Sequence, residues 1–154
     1  MKEDEIRARV VAEAKSWLGT PYLSNALVKG PRGGTDCAML LLGVYRASGL
    51  VGKDFVPPEY SPQWHLHRNE EMYMLVVRQF AREVSGPPER MPKPGDVVMF
   101  TMGRLLAHAA IVIDWPYVIH AVGGSKVRLD DISKNTTGKR ALALVPKRFF
   151  SLWS

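Results

Sequence analysis

The chain has 154 residues, 46% of them hydrophobic and 23% charged, with a net charge of +6. That balance describes an ordinary globular chain, long enough to bury one core without disulfides or metals. A single cysteine excludes an internal disulfide, and no apolar run approaches the roughly 18 residues of a membrane span.

Residues 1–18 predict an amphipathic helix, with Ile6, Val10, Val11, Ala14, Trp17 and Leu18 on one face and Gly19 as its stop. This charged start is unlike the apolar core of a secretion signal, so the expectation is a single domain, 1–154, made in the cytoplasm. Thr20-Pro21-Tyr22 begins an extended segment, and Asn25 to Thr35 reads as loop. A second helix is expected over Cys37 to Ser48, closed by Gly49. Ser61-Pro62 predicts a third, running through Tyr73, Val76 and Phe80 to Val84.

After Gly86-Pro87-Pro88 the period changes. DVVMF, AHAAIVID, YVIHAV, KVRLDDI and ALALVPK predict about five strands. Helices first and strands afterwards imply an α+β fold with an antiparallel sheet. Residues 126–154 carry seven Lys/Arg against Asp130 and Asp131, which is five of the six net charges. This suits either a polyanionic partner or a solvated basic edge. No motif for specific nucleic-acid recognition accompanies it.

The only cysteine, Cys37, follows Asp36 at the predicted start of the second helix. Free backbone N–H groups and the helix dipole favour a thiolate there, and the same groups are suited to an oxyanion. Asp36 is placed to cap the helix. A lone cysteine on an apolar helix is also compatible with an inert core residue. A nucleophile needs a base, and the histidines are His65, His67, His108 and His120. His65 and His67 are two apart near the third helix and make a poor metal pair. His108 and His120 bracket two apolar strands. A hairpin centred on Asp114 would set them directly opposite on one face, whereas a two-residue Trp115-Pro116 turn would put them on opposite faces.

The motifs WLGTPY (17–22), GGTDCAMLLLGVYRASGL (33–50), KPGDVVMF (93–100), AHAAIVID (107–114) and VIHA (118–121), in that order, resemble the NlpC-type cell-wall peptidases, a papain-like family of cysteine hydrolases. The resemblance implies Cys37 as nucleophile, His108 as general base and His120 as the residue orienting it, with Tyr22 and Asp36 at the substrate and oxyanion site. It implies no cofactor, a papain-like fold, and cleavage of a γ-D-glutamyl bond to a diamino acid in peptidoglycan stem peptides. The segment YSPQWHLHRNEE and the small size are similar to a phage branch whose members sit with tail proteins, implying tail or tail-tip partners and a place in the virion tail. One departure is Asp-Cys-Ala-Met where the family commonly has Asp-Cys-Ser-Gly. Ala38 and Met39 thus imply an altered recognition site.

Three alternatives compete with this reading. One is a structural tail component that keeps the fold for docking, favoured by Ala38-Met39 and by the aromatic end FFSLWS. Another is a different papain-like chemistry, an amidase or acyltransferase. The third is a zinc site of Cys37, His108 and His120, which lacks the close ligand spacing such sites favour.

Overall fold

A computed structural model describes residues 2–55, 77–102, 105–134 and 142–153. Helix α1 spans Glu3–Ser16 and α2 spans Cys37–Ala47; between them β1 (Leu27–Val28) and β2 (Gly34–Thr35) form a short antiparallel pair. The remaining strands are β3 (Arg82–Val84), β4 (Val97–Met102), β5 (Leu105–Asp114), β6 (Tyr117–Ala121), β7 (Val127–Asp131) and β8 (Lys147–Ser151). They make one antiparallel six-stranded sheet in the order β3-β8-β4-β5-β6-β7. This is the expected α+β arrangement of helices on an antiparallel sheet.

Alternation along the central strands sorts the core into two layers. Val97, Met99, Ala109, Ile111, Ile119 and Ala121 pack with Val10, Ala14 and Trp17 of the N-terminal helical segment and with Leu40, Leu41, Val44 and Tyr45 of α2. Val98, Phe100, Ala110, Val112 and Val118 pack on the opposite face with Ile132, Leu142 and Phe149. α2 can lie close to α1 because Gly43 has no side chain: a Cβ there would sit 3.0 Å from the Trp17 ring. Gly19 and Gly49 both take positive φ just past the helices, as stops at these positions require.

Several expectations need correction. Residues 82–84 are strand rather than the end of a third helix, because they pair with β8 at the sheet edge. Residues 77–80 are helical, while the rest of that helix, with His65 and His67, lies outside the described residues. The last strand is 147–151, not ALALVPK: Val97 and Val98 pair with Phe150 and Phe149. That burial removes the exposed aromatic terminus, one of the two features favouring a docking role, since Phe149 and Phe150 are buried and Trp153 stacks 4.0 Å from the Arg7 guanidinium. The expected loop between 25 and 35 contains the β1–β2 pair.

The basic C-terminal stretch is also less free than its charge count implied. Arg148 pairs with Glu83, Arg128 with Asp130, and Lys134 lies 4.0 Å from Asp131. Lys147 donates to the carbonyls of Ala143 and Val145, and burial pushes its ammonium pKa down. No helix among the described residues is long and apolar enough to cross a membrane.

Candidate active site

Cys37 is the first residue of α2 and is buried, at 4% exposure. Asp36 caps the helix as expected: its Oδ1 accepts from Met39 N at 2.9 Å. Its Oδ2 accepts from Asn25 N at 2.7 Å, which ties the preceding loop to the same carboxylate. Asp36 is 1% exposed, so this carboxylate points inward to the backbone. Ala38 and Met39 are half-buried on the first turn.

Tyr22 is held by its backbone. Residues 19–22 run along the free edge of β7: Gly19 N donates to Val127 O, Val127 N to Thr20 O, and Tyr22 N to Ser125 O. On their other side Thr35 N donates to Pro21 O and Leu23 N to Thr35 O. A continuous backbone ladder therefore links β6 through β7 and Tyr22 to Thr35, two residues before the thiol. The half-buried Tyr22 side chain packs against the core.

The histidines meet, through a combination that neither of the two registers considered describes by itself. The turn is the two-residue one, with Asp114 paired to Tyr117. A register shift between Asp114 and Val112 then sets Val112 against Val118 and Ile111 against Ile119. Continued by one residue, His120 falls beside Ala110, which makes His108 its diagonal neighbour rather than its direct partner. The short turn alone would have put the imidazoles on opposite faces; the extra residue in β5 reverses that flip. His108 Nε2 lies 2.7 Å from His120 Nδ1, with ring centroids 4.9 Å apart. The His108 ring also rests 5.6 Å from that of Phe100, its partner across β4. A second register shift lies immediately beside that pair, between Phe100 and Thr101.

A third residue completes the row, and nothing in the sequence analysis points to it. Asp130 Oδ2 lies 2.7 Å from His120 Nε2, and its Oδ1 accepts from Arg128 at 3.2 Å. The pairings His120–Arg128 and Val118–Asp130 place Arg128 and Asp130 on the face that carries His120. The alternation in VRLDD signalled that the two share a face, but only the β6–β7 register shows which histidine they meet. His120 is 2% exposed. Burial lowers its pKa, and this outweighs the opposing pull of Asp130. A neutral imidazole is thereby favoured at the centre of the row.

Neutral His120 fixes the proton order. A carboxylate only accepts, so His120 Nε2–H donates to Asp130 and Nδ1 keeps a lone pair. That lone pair accepts from His108 Nε2–H, which makes Nδ1 the basic nitrogen of a neutral His108. α2 packs on β5 and β6 through the face of Ala109, Ile111, Ile119 and Ala121, whereas His108 and His120 alternate onto the face of Ala110 and Val118. Among the described residues no cluster of three His, Cys, Asp or Glu is placed to hold a metal ion.

The NlpC/P60 family matches residues 19–145. The chain belongs to this family. Solved structures agree in fold. NlpC1 from Trichomonas vaginalis is similar at a TM-score of 0.63 and 17% identity, over 97% of this chain and 44% of that one. The NlpC/p60 domain of the peptidoglycan hydrolase SagA gives 0.58 and 20%, over 92% and 96%. RipD from Mycobacterium tuberculosis, described as a non-catalytic NlpC/p60 domain protein adapted to peptidoglycan binding, gives 0.58 and 16%, over 95% and 96%. This chain thus spans nearly all of some relatives and under half of another. No curated protein matches it. The family includes peptidoglycan hydrolases and members without catalysis, so membership leaves activity to the site itself.

Proposed function

We propose that this chain is a cysteine peptidase that hydrolyses peptidoglycan stem peptides, at a γ-D-glutamyl bond to a diamino acid, in association with a phage tail. The observation that carries the hydrolase reading is the hydrogen-bonded row His108–His120–Asp130 itself. A buried and a half-buried imidazole in an apolar hairpin are costly unless their protons are placed to some purpose. Cleavage of a stem peptide rests on family membership, and the tail on the likeness of YSPQWHLHRNEE to the phage branch.

In this reading the Cys37 thiol meets His108 beyond the N-terminal end of α2. The Cys37 proton passes to His108 Nδ1, leaving a thiolate and an imidazolium. Sulfur attacks the scissile carbonyl, and the developing oxyanion is held by backbone N–H groups ahead of Met39, with Tyr22 beside them. Met39 N and Leu40 N are already committed to Asp36. His108 returns its proton to the leaving amine, and water then releases the acyl group from sulfur.

A second reading, a binding domain without catalysis, is favoured by the deep burial of Cys37 and by the RipD fold. Digestion of purified peptidoglycan separates the two, with fragments identified by mass spectrometry. Release of peptides cut after γ-D-glutamate, abolished in Cys37→Ala at an unchanged melting temperature, supports the hydrolase. Retained binding without any fragment in the wild type supports the binding domain.

A further inference from the structure

We propose that Asp130 is a positioning residue of this site, fixing through His120 the tautomer in which His108 presents Nδ1 as the base. The proposal rests on the hydrolase reading above and deepens it.

An imidazole pair is ambiguous by itself. Two neutral histidines joined through one N–H···N bond can carry their protons in either direction, and only one direction leaves the acceptor on the outer nitrogen of His108. The structure resolves this with a group at the far end of the row. Asp130 Oδ2 sits 2.7 Å from His120 Nε2 and, as a carboxylate, accepts there. His120 Nδ1, 2.7 Å from His108 Nε2, must then be the acceptor in that second bond. Reversal would require His120 to turn a lone pair towards a carboxylate, within a buried environment that magnifies the repulsion.

Asp130 is itself held. Its other oxygen takes Arg128 at 3.2 Å, and the pairing of Arg128 with His120 across β6–β7 keeps all three groups on one face. Its side chain is 28% exposed, so solvent reaches the carboxylate while His120, 3% exposed in its side chain, stays dry. When His108 takes a proton at Nδ1, the positive charge is relayed as hydrogen-bond polarisation through His120 to Asp130, with no further proton moved. Asp130 touches neither substrate nor sulfur and acts only through the two rings.

The test uses the full chain and two variants. Asp130→Ala removes the acceptor; Asp130→Asn offers one oxygen and one NH2 in place of two acceptor oxygens, so with its oxygen kept by Arg128 it turns a donor towards His120. Long-range ¹H–¹⁵N spectra of the histidine side chains read the tautomers directly. In the wild type His108 and His120 are both expected as Nε2–H forms. In Asp130→Ala that pattern is lost, and the rate of peptidoglycan hydrolysis falls on the order of 10- to 100-fold, less than the roughly 10⁴ carried by a carboxylate bonded directly to a base. Asp130→Asn reverses the pattern to Nδ1–H on both rings and loses at least as much rate. Unchanged tautomers or an unchanged rate in a folded Asp130→Ala overturn the proposal while the hydrolase reading stands. A wild type that does not hydrolyse overturns both, and the wild-type rate tells that failure from the first.

Discussion

Two buried polar clusters stand out among the described residues, and they are built differently. Around Asp96, which is fully buried, Arg7 Nη1 and Arg90 Nη1 each approach within 2.9 Å, and Lys93 N donates to the same carboxylate. Arg7 also donates to Pro94 O and Glu3, and Trp153 covers it. Tyr45 closes the cluster by donating to Gly95 O at 2.6 Å; burial first, and Asp96 second, push its phenol pKa well up. The histidine row is built differently. It is a line of single hydrogen bonds, anchored at Asp130 and Arg128 and ending at a half-buried imidazole. The first cluster neutralises a charge between α1 and β4 and holds them together. The second joins two imidazoles and a carboxylate in line. Burial of polar groups is common to both, so it is this titratable line, not the burial, that marks the candidate site.

The largest effect is expected where the closed cluster is broken. Asp96→Ala leaves two guanidinium groups without their partner, one of them 5% exposed, and should cost about 3–5 kcal/mol in chemical denaturation. Hydrolysis per folded molecule should be unaltered. A cost below about 1 kcal/mol, or loss of activity in the folded fraction, would erase the distinction between the two clusters.

A smaller effect sharpens it from the other side. Because burial holds the folded pKa of His120 below its ordinary 6.5, the neutral form is the one that folding favours. Stability from this group is fully present above about pH 6.5 and is lost as pH falls through the lowered folded value, with a slope of at most about 1.4 kcal/mol per pH unit for one proton. His120→Gln, which does not titrate, should flatten that part of the pH–stability curve. Identical curves for the two proteins between pH 7 and 5 would mean that His120 is not held neutral.

Much of this was readable in the residues. Periodicity located α1 and α2, and runs of β-branched residues located β4 to β7 within a residue or two, because those segments bury whole faces. The position of Cys37 and the cap by Asp36 followed from local rules alone. What escaped depends on pairing. Arg7 sits beside the apolar stripe of α1, and only its partner Asp96, 89 residues away, explains its burial. The extra residue of β5 that restores the facing of His108 and His120 leaves no compositional mark. Asp130 reads as a solvent-facing acid until β7 is laid beside β6. The strands at 82–84 and 147–151 define each other, and neither is distinctive without its neighbour.

The central claim is that Cys37 is a nucleophile activated by His108, and the pH dependence of its alkylation by iodoacetamide tests this before any substrate is known. In the wild type the thiol should react well below its free pKa of about 8.5. In His108→Ala that reactivity should move up to the range of an ordinary thiol. A wild-type thiol that is inert, or that titrates as a free one with no response to His108→Ala, would contradict the account and leave a chain with the hydrolase fold but without its chemistry.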